Sequence, residues 1–76
     1  MAYQTQDYYT NDLTPFQEAE ILKLLHQGYA VRVGSSCLGH TRSRMVELQG
    51  QRLFNKLGAR RVVEEPHGLG GYYAIK

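Results

Sequence analysis

The stretch GSSCLGHTRSR, residues 34 to 44, gathers one cysteine, one histidine, four hydroxyls and two arginines into eleven positions. Three chemistries compete for such a set. The first is nucleophilic. A Cys37 thiolate between a strand end and a helix start would be stabilised by the helix dipole and nearby arginines, with His40 as its base. A short loop separation does not hold a base against its nucleophile, however, and a lone cysteine in a small domain more often packs as a small hydrophobe. The second is a metal. Cys37 and His40 stand at C-x-x-H spacing and His67 lies in a later turn. That is one ligand short of a structural zinc site, and the remaining histidine, His26, is expected on an inward helix face. The third is a phosphate grip. Glycine and serine ahead of a helix leave backbone N–H groups free at its positive end. Ser35, Ser36, Thr41 and Ser43 add hydroxyl donors, and Arg42 and Arg44 add charge with bidentate geometry. The lysine and glycine spacing of a nucleotide-binding P-loop is missing, so the expected anion is a backbone phosphate and not a bound nucleotide. A plainer role stands beside it: a helix start that uses Gly39 for its turn and Thr41 or Ser43 as its cap. No catalytic residue, metal or cofactor is expected.

The helix opened by this loop spans roughly Thr41 to Leu57 by its apolar period. Val46, Gly50, Leu53, Phe54 and Leu57 form its core stripe. Gly50 weakens a helix by roughly 1 kcal/mol relative to alanine, so its place in that stripe predicts close approach to a sheet. A second face carries Met45 and Leu48 with Arg52 and Lys56 beside them. Such a face has something to meet: nucleic acid, another protein, or a second copy of the chain. Otherwise Met45 and Leu48 pack under the N-terminal segment, and single exposed leucines are ordinary.

Six tyrosines occur, four of them in the pairs Tyr8–Tyr9 and Tyr72–Tyr73. Strand neighbours point to opposite faces, so each pair should send one ring inward and one outward. Outward tyrosines beside arginines suit both base stacking and protein interfaces.

Several elements must position these residues. TPFQEAEILKLLHQ, residues 14 to 27, is a helix with Thr14 as cap, Pro15 at its first position and Gln17 completing a capping box. Ala19, Ile21, Leu22, Leu25 and His26 should share its buried face, and Gly28 supplies the stop. Tyr29 to Val33 reads as a strand with Tyr29, Val31 and Val33 on one face and Ala30 and Arg32 on the other. RRVVEEPHGLGGYYAIK reads as a hairpin of Arg61 to Glu64 and Tyr72 to Ile75 around the turn PHGLGG. The expected fold is α+β in two layers. Two helices cover a three-stranded mixed sheet in the order α-β-α-β-β, with a parallel crossover between the first two strands. A winged-helix arrangement, with residues 41 to 57 as recognition helix and PHGLGG as wing tip, is the alternative. Residues 1 to 12 are a tail or an edge strand, and 13 to 76 form the single domain.

Seventy-six residues, 42% of them hydrophobic and 21% charged, make one small globular domain. A single cysteine excludes an internal disulfide framework. No apolar run is long enough for a membrane span. The first dozen residues lack the pattern of a signal peptide, so a cytoplasmic location is expected. A small domain without disulfides gains stability by self-association or by docking, so a homodimer is allowed. The net charge is only +2, but it is unevenly spread. Residues 1 to 20 hold Asp7, Asp12, Glu18 and Glu20 and no base. Residues 30 to 61 hold Arg32, Arg42, Arg44, Arg52, Lys56, Arg60 and Arg61 against Glu47 alone. Such asymmetry points to an anionic partner unless the acidic end balances it in space.

The leading expectation is a non-enzymatic module that binds nucleic acid through Arg42, Arg44, Arg52, Lys56, Arg60 and Arg61. The alternative is a protein-interaction module, a small inhibitor or adaptor of the kind mobile elements such as phages encode. Tyr8, Tyr9, Met45 and Leu48 would be its contacts.

Overall fold

The computed structural model describes residues 3–36, 39–64 and 71–75, without the side chains of His40, Arg42 and Glu64. The elements run β1 (Thr5–Thr10), α1 (Pro15–His26), β2 (Ala30–Ser35), α2 (His40–Leu57), β3 (Arg60–Glu64) and β4 (Gly71–Ala74). Together they make an α+β fold with two helices and a four-stranded mixed sheet in the order β1-β2-β4-β3.

The expected three-stranded sheet is therefore one strand short. TQDYYT is a strand, parallel to β2 from Thr5 opposite Ala30 to Thr10 opposite Ser35. It lacks the apolar alternation of a strand because only Tyr8 enters the main core and only Thr10 is fully buried. Thr10 Oγ1 donates to the Asp12 carbonyl at 2.6 Å and accepts from Gln17 Nε2 at 2.6 Å. Gln17 also accepts from the Thr14 backbone N–H at 2.8 Å as half of the capping box. One glutamine thus joins the strand end to the helix start.

β2 and β3 run parallel through the α2 crossover, as expected, but they are not neighbours, because β4 folds back between them and pairs antiparallel with each. Composition explains the order. β4 is GYYA, with Gly71, Tyr72 and Ala74 buried, whereas β3 begins with the exposed Arg60 and Arg61. Charged residues suit a sheet edge, and a register shift between Arg61 and Val63 disrupts that edge further. Helix–strand order and sheet pairing do not reproduce a winged helix.

Both helices pack on one face of the sheet. The core joins Ile21 and Leu25 of α1, Val31 and Val33 of β2, and Val46, Leu53 and Phe54 of α2. The Phe54 and Tyr73 rings stack at 4.6 Å with an 11° interplanar angle, a contact worth about 1 kcal/mol beyond its buried area. Gly50 meets β2 as the stripe predicted: a Cβ there would lie 2.8 Å from Val33 Cβ. The buried stripe of α1 is narrower than expected, since Ala19 and His26 are exposed. Gly58, at φ 72°, closes α2 in the left-handed conformation. Gly39 occupies the N-cap of α2 with no side-chain cap hydrogen bond, so neither Thr41 nor Ser43 plays that part.

Candidate functional site

α2 positions the candidate surface. Its 18 residues bury Val46, Gly50, Leu53 and Phe54 against the sheet. At about 100° per residue, the opposite side presents Arg44, Met45, Leu48, Arg52 and Lys56 within about a third of the circumference. All five are exposed, Met45 at 54% and Leu48 at 47%. Arg52 and Lys56 lie one turn apart, about 6 Å along the axis. Glu47 is the only acid of α2. It is half-buried and lines a small recess with Val33, Gln51, Phe54 and Tyr73, off this arc.

The six basic candidates do not form one cluster. Arg44, Arg52 and Lys56 share the outer arc. Arg42 lies in the first turn of α2, and its side chain is outside the described residues. Arg60 pairs with Ala74, and Arg61 pairs with Tyr73. Tyr73 joins the main core under the helices, and Ala74 belongs to a second cluster with Ala30 and Tyr72 on the far side of the sheet. Arg60 therefore faces away from the helices, and Arg61 faces toward them. The arm of Arg61 covers Gly71, where a Cβ would collide with Nε.

The acidic N-terminal half balances part of this charge in space. A groove of about 240 Å³ between the β1–α1 connection and α2 is lined by Leu13, Glu18, Gln49, Arg52, Leu53 and Lys56. Beyond Gln49 it continues as a second recess of about 270 Å³ with Asn11, Asp12, Met45 and Val46. The Gln49 Oε1 atom is buried there with no hydrogen-bond partner among the described residues. Met45 thus borders the N-terminal segment yet stays half-exposed.

The tyrosine pairs split between the two faces of the sheet, but only Tyr8–Tyr9 sends a ring outward as expected, because Tyr72 is buried on its own face. Tyr8 and Tyr73 pack toward the helices. The Tyr8 hydroxyl donates to Glu20 Oε2 of α1. Burial first, and then the Glu20 carboxylate, pushes that phenol up to about 12. Tyr8 is an anchor between β1 and α1. Tyr9 and Tyr72 take the other face, Tyr9 exposed at 57% and Tyr72 buried. There they meet Asp7, which pairs with Arg32 at 3.1 Å. Burial acts to raise the Asp7 pKa. Hydrogen bonds from Tyr72 and Arg32, the Arg32 charge and Tyr9 outweigh it and hold the carboxyl below its usual value.

The loop that opened the chemical reading contributes less. Ser36 donates its hydroxyl to Asn11 Oδ1. Cys37 and His67 lie outside the described residues, and His26 sits exposed at the end of α1. Among the described residues no group of three or more metal-ligating side chains gathers, and no helix is long and apolar enough to cross a membrane. Phe16, at 71% exposure, is an apolar surface residue that the sequence reading missed. It sits in the first turn of α1, before the buried stripe begins, where periodicity says nothing. No protein-family model, characterised sequence or solved structure matches the chain.

Proposed function

We propose that this chain is a non-enzymatic binding domain whose α2 outer face docks on the phosphate backbone of nucleic acid. One observation carries the reading: Arg44, Arg52 and Lys56 stand exposed on a single helix arc with no acid among them. Bases placed this way act on a polyanion as point charges and release its counterions. Arg44 and Arg52 bring planar donor forks as well. Met45 and Leu48 lie between these bases and would rest against sugar edges. Arg42 belongs to the first turn of the same helix. Arg60 and Arg61 lie on opposite faces of β3 and do not extend this arc. Glu18, at the far wall of the groove, limits the field around Arg52 and Lys56 on that side.

The exposure of Met45 and Leu48 favours a second reading, a protein-interaction surface on the same arc. Two double variants separate the readings. Arg52→Glu with Lys56→Glu should abolish binding to mixed-sequence duplex DNA while the circular dichroism spectrum stays native. Met45→Ser with Leu48→Ser should weaken that binding only slightly. If the charge-reversed protein binds like wild type, α2 is not the nucleic-acid surface.

A further inference from the structure

The helix-free face of the sheet carries a surface that α2 does not share. Strand register sets Asp7, Arg32 and Tyr72 in one row across β1, β2 and β4. A single carboxylate holds the row. The Tyr72 hydroxyl donates to Asp7 Oδ1 at 2.6 Å, and Arg32 Nη2 lies 3.1 Å from the same oxygen. The Tyr9 hydroxyl reaches Asp7 Oδ2 at 3.5 Å. The Arg32 guanidinium sits over the Tyr72 ring, its Cζ 5.0 Å from the centroid. Tyr9 lies across Gly34, where any Cβ would strike its Cε1 at 2.9 Å. Gly34 is what allows that ring to rest on the backbone of β2.

These contacts have a consequence for the outer surface. Asp7 spends its charge on donors within the face. The Tyr9 ring is held at its hydroxyl and backed by glycine, with 57% of the residue still exposed. Arg32 is stacked and tethered, so its planar group is ordered before any ligand arrives. The face also carries the exposed Arg60 at the β3 edge. Among the described side chains of this face Arg32 and Asp7 offset each other, and the exposed Arg60 is left to favour an anion. Ordered flat groups favour a planar one. Unpaired nucleobases on a phosphate chain are both, and aromatic side chains stack them without regard to sequence.

We propose that this face binds single-stranded polynucleotide, with a base stacked on Tyr9, a neighbour near Arg32, and Arg60 meeting the phosphate chain. A duplex keeps its bases inside the stack and cannot use the surface this way. The site lies on the opposite side of the sheet from α2, so it stands or falls separately from the α2 reading.

Fluorescence anisotropy with a labelled single-stranded DNA of about 12 nucleotides tests it, beside an abasic strand with the same phosphates. Wild type should bind the base-bearing strand about tenfold more tightly than the abasic one, and binding should quench tyrosine fluorescence. Tyr9→Ala should remove most of that difference while leaving abasic binding unchanged, and Tyr9→Phe should retain it. Equal binding of both strands by wild type overturns the proposal, and this comparison needs no variant to fold. If that equal binding disappears in the Arg52→Glu, Lys56→Glu protein, the α2 reading survives and the sheet site does not. Absence of binding to either strand overturns both.

Discussion

Replacing Gly50 with alanine should destabilise the domain, although alanine is the better helix former. The substitution gains about 1 kcal/mol of helix propensity. Against this, the new Cβ would sit 2.8 Å from Val33 Cβ, 3.1 Å from Cγ1 and 3.3 Å from Cγ2. Carbon atoms in good contact lie about 3.5–4.0 Å apart, so α2 and β2 must separate by roughly 1 Å or distort. Val33 is β-branched and its Cβ is fixed to the strand, so no flexible side-chain end can give way. Overpacking of this kind costs about 1–3 kcal/mol. The net loss is up to about 2 kcal/mol, a fall in melting temperature of up to roughly 8–16 °C for a domain this size. Thermal unfolding followed by circular dichroism measures it. The companion change Val33→Ala, costly in the wild-type protein, should cost less in the Gly50→Ala background, with a coupling of about 1 kcal/mol. A melting temperature raised by Gly50→Ala would refute the close approach of α2 to β2, and with it the orientation that turns Arg44, Arg52 and Lys56 outward.

Deleting residues 1 to 12 should unfold or severely destabilise the protein, because it removes a strand paired along six residues and the Thr10 and Tyr8 contacts to α1; a melting shift of only a few degrees would contradict the sheet order. The neutral Tyr8 phenol is favoured in the fold, with its pKa pushed up to about 12. Its contribution should be complete below about pH 10 and vanish as pH rises through about 12, so a tyrosinate absorbance titration should lose a step near pH 12 in Tyr8→Phe. Asp7 behaves oppositely, its pKa lying below the ordinary 3.8. Its contribution should be present above that ordinary value and disappear as pH falls through the lowered one, and Asp7→Asn should flatten the acid limb of stability against pH.

Local signals in the sequence were reliable where they had a local cause. TPFQ announces α1 because the Thr14–Gln17 box closes within four residues. Gly50 stands out because a glycine inside an apolar stripe has a helix–sheet reason to be there. β1 was legible only as an alternative to a tail, since an edge strand with one buried end shows little alternation. The place of β4 between β2 and β3 was not legible at all. It depends on two arginines being cheaper at an edge than in the centre, a comparison between elements. The apolar period alone places Ala19 and His26 in the core, because it makes the helix face wider than the sheet can cover. For the candidate site, Met45, Leu48, Arg52 and Lys56 were readable from helical spacing. The Asp7, Arg32 and Tyr72 row was not, because its members lie 65 positions apart at the extreme. No sequence spacing brings an acidic N-terminal residue to a tyrosine near the other end.

The most direct test of the central claim is the salt dependence of binding to mixed-sequence nucleic acid. If Arg44, Arg52 and Lys56 meet about three phosphates, log K should fall against log salt with a slope of about −2 to −3, steeper on duplex than on single strands. The Arg52→Glu, Lys56→Glu protein should show no measurable duplex binding from which to draw a slope. Binding that is absent at low salt, or that does not change with salt, would contradict the account.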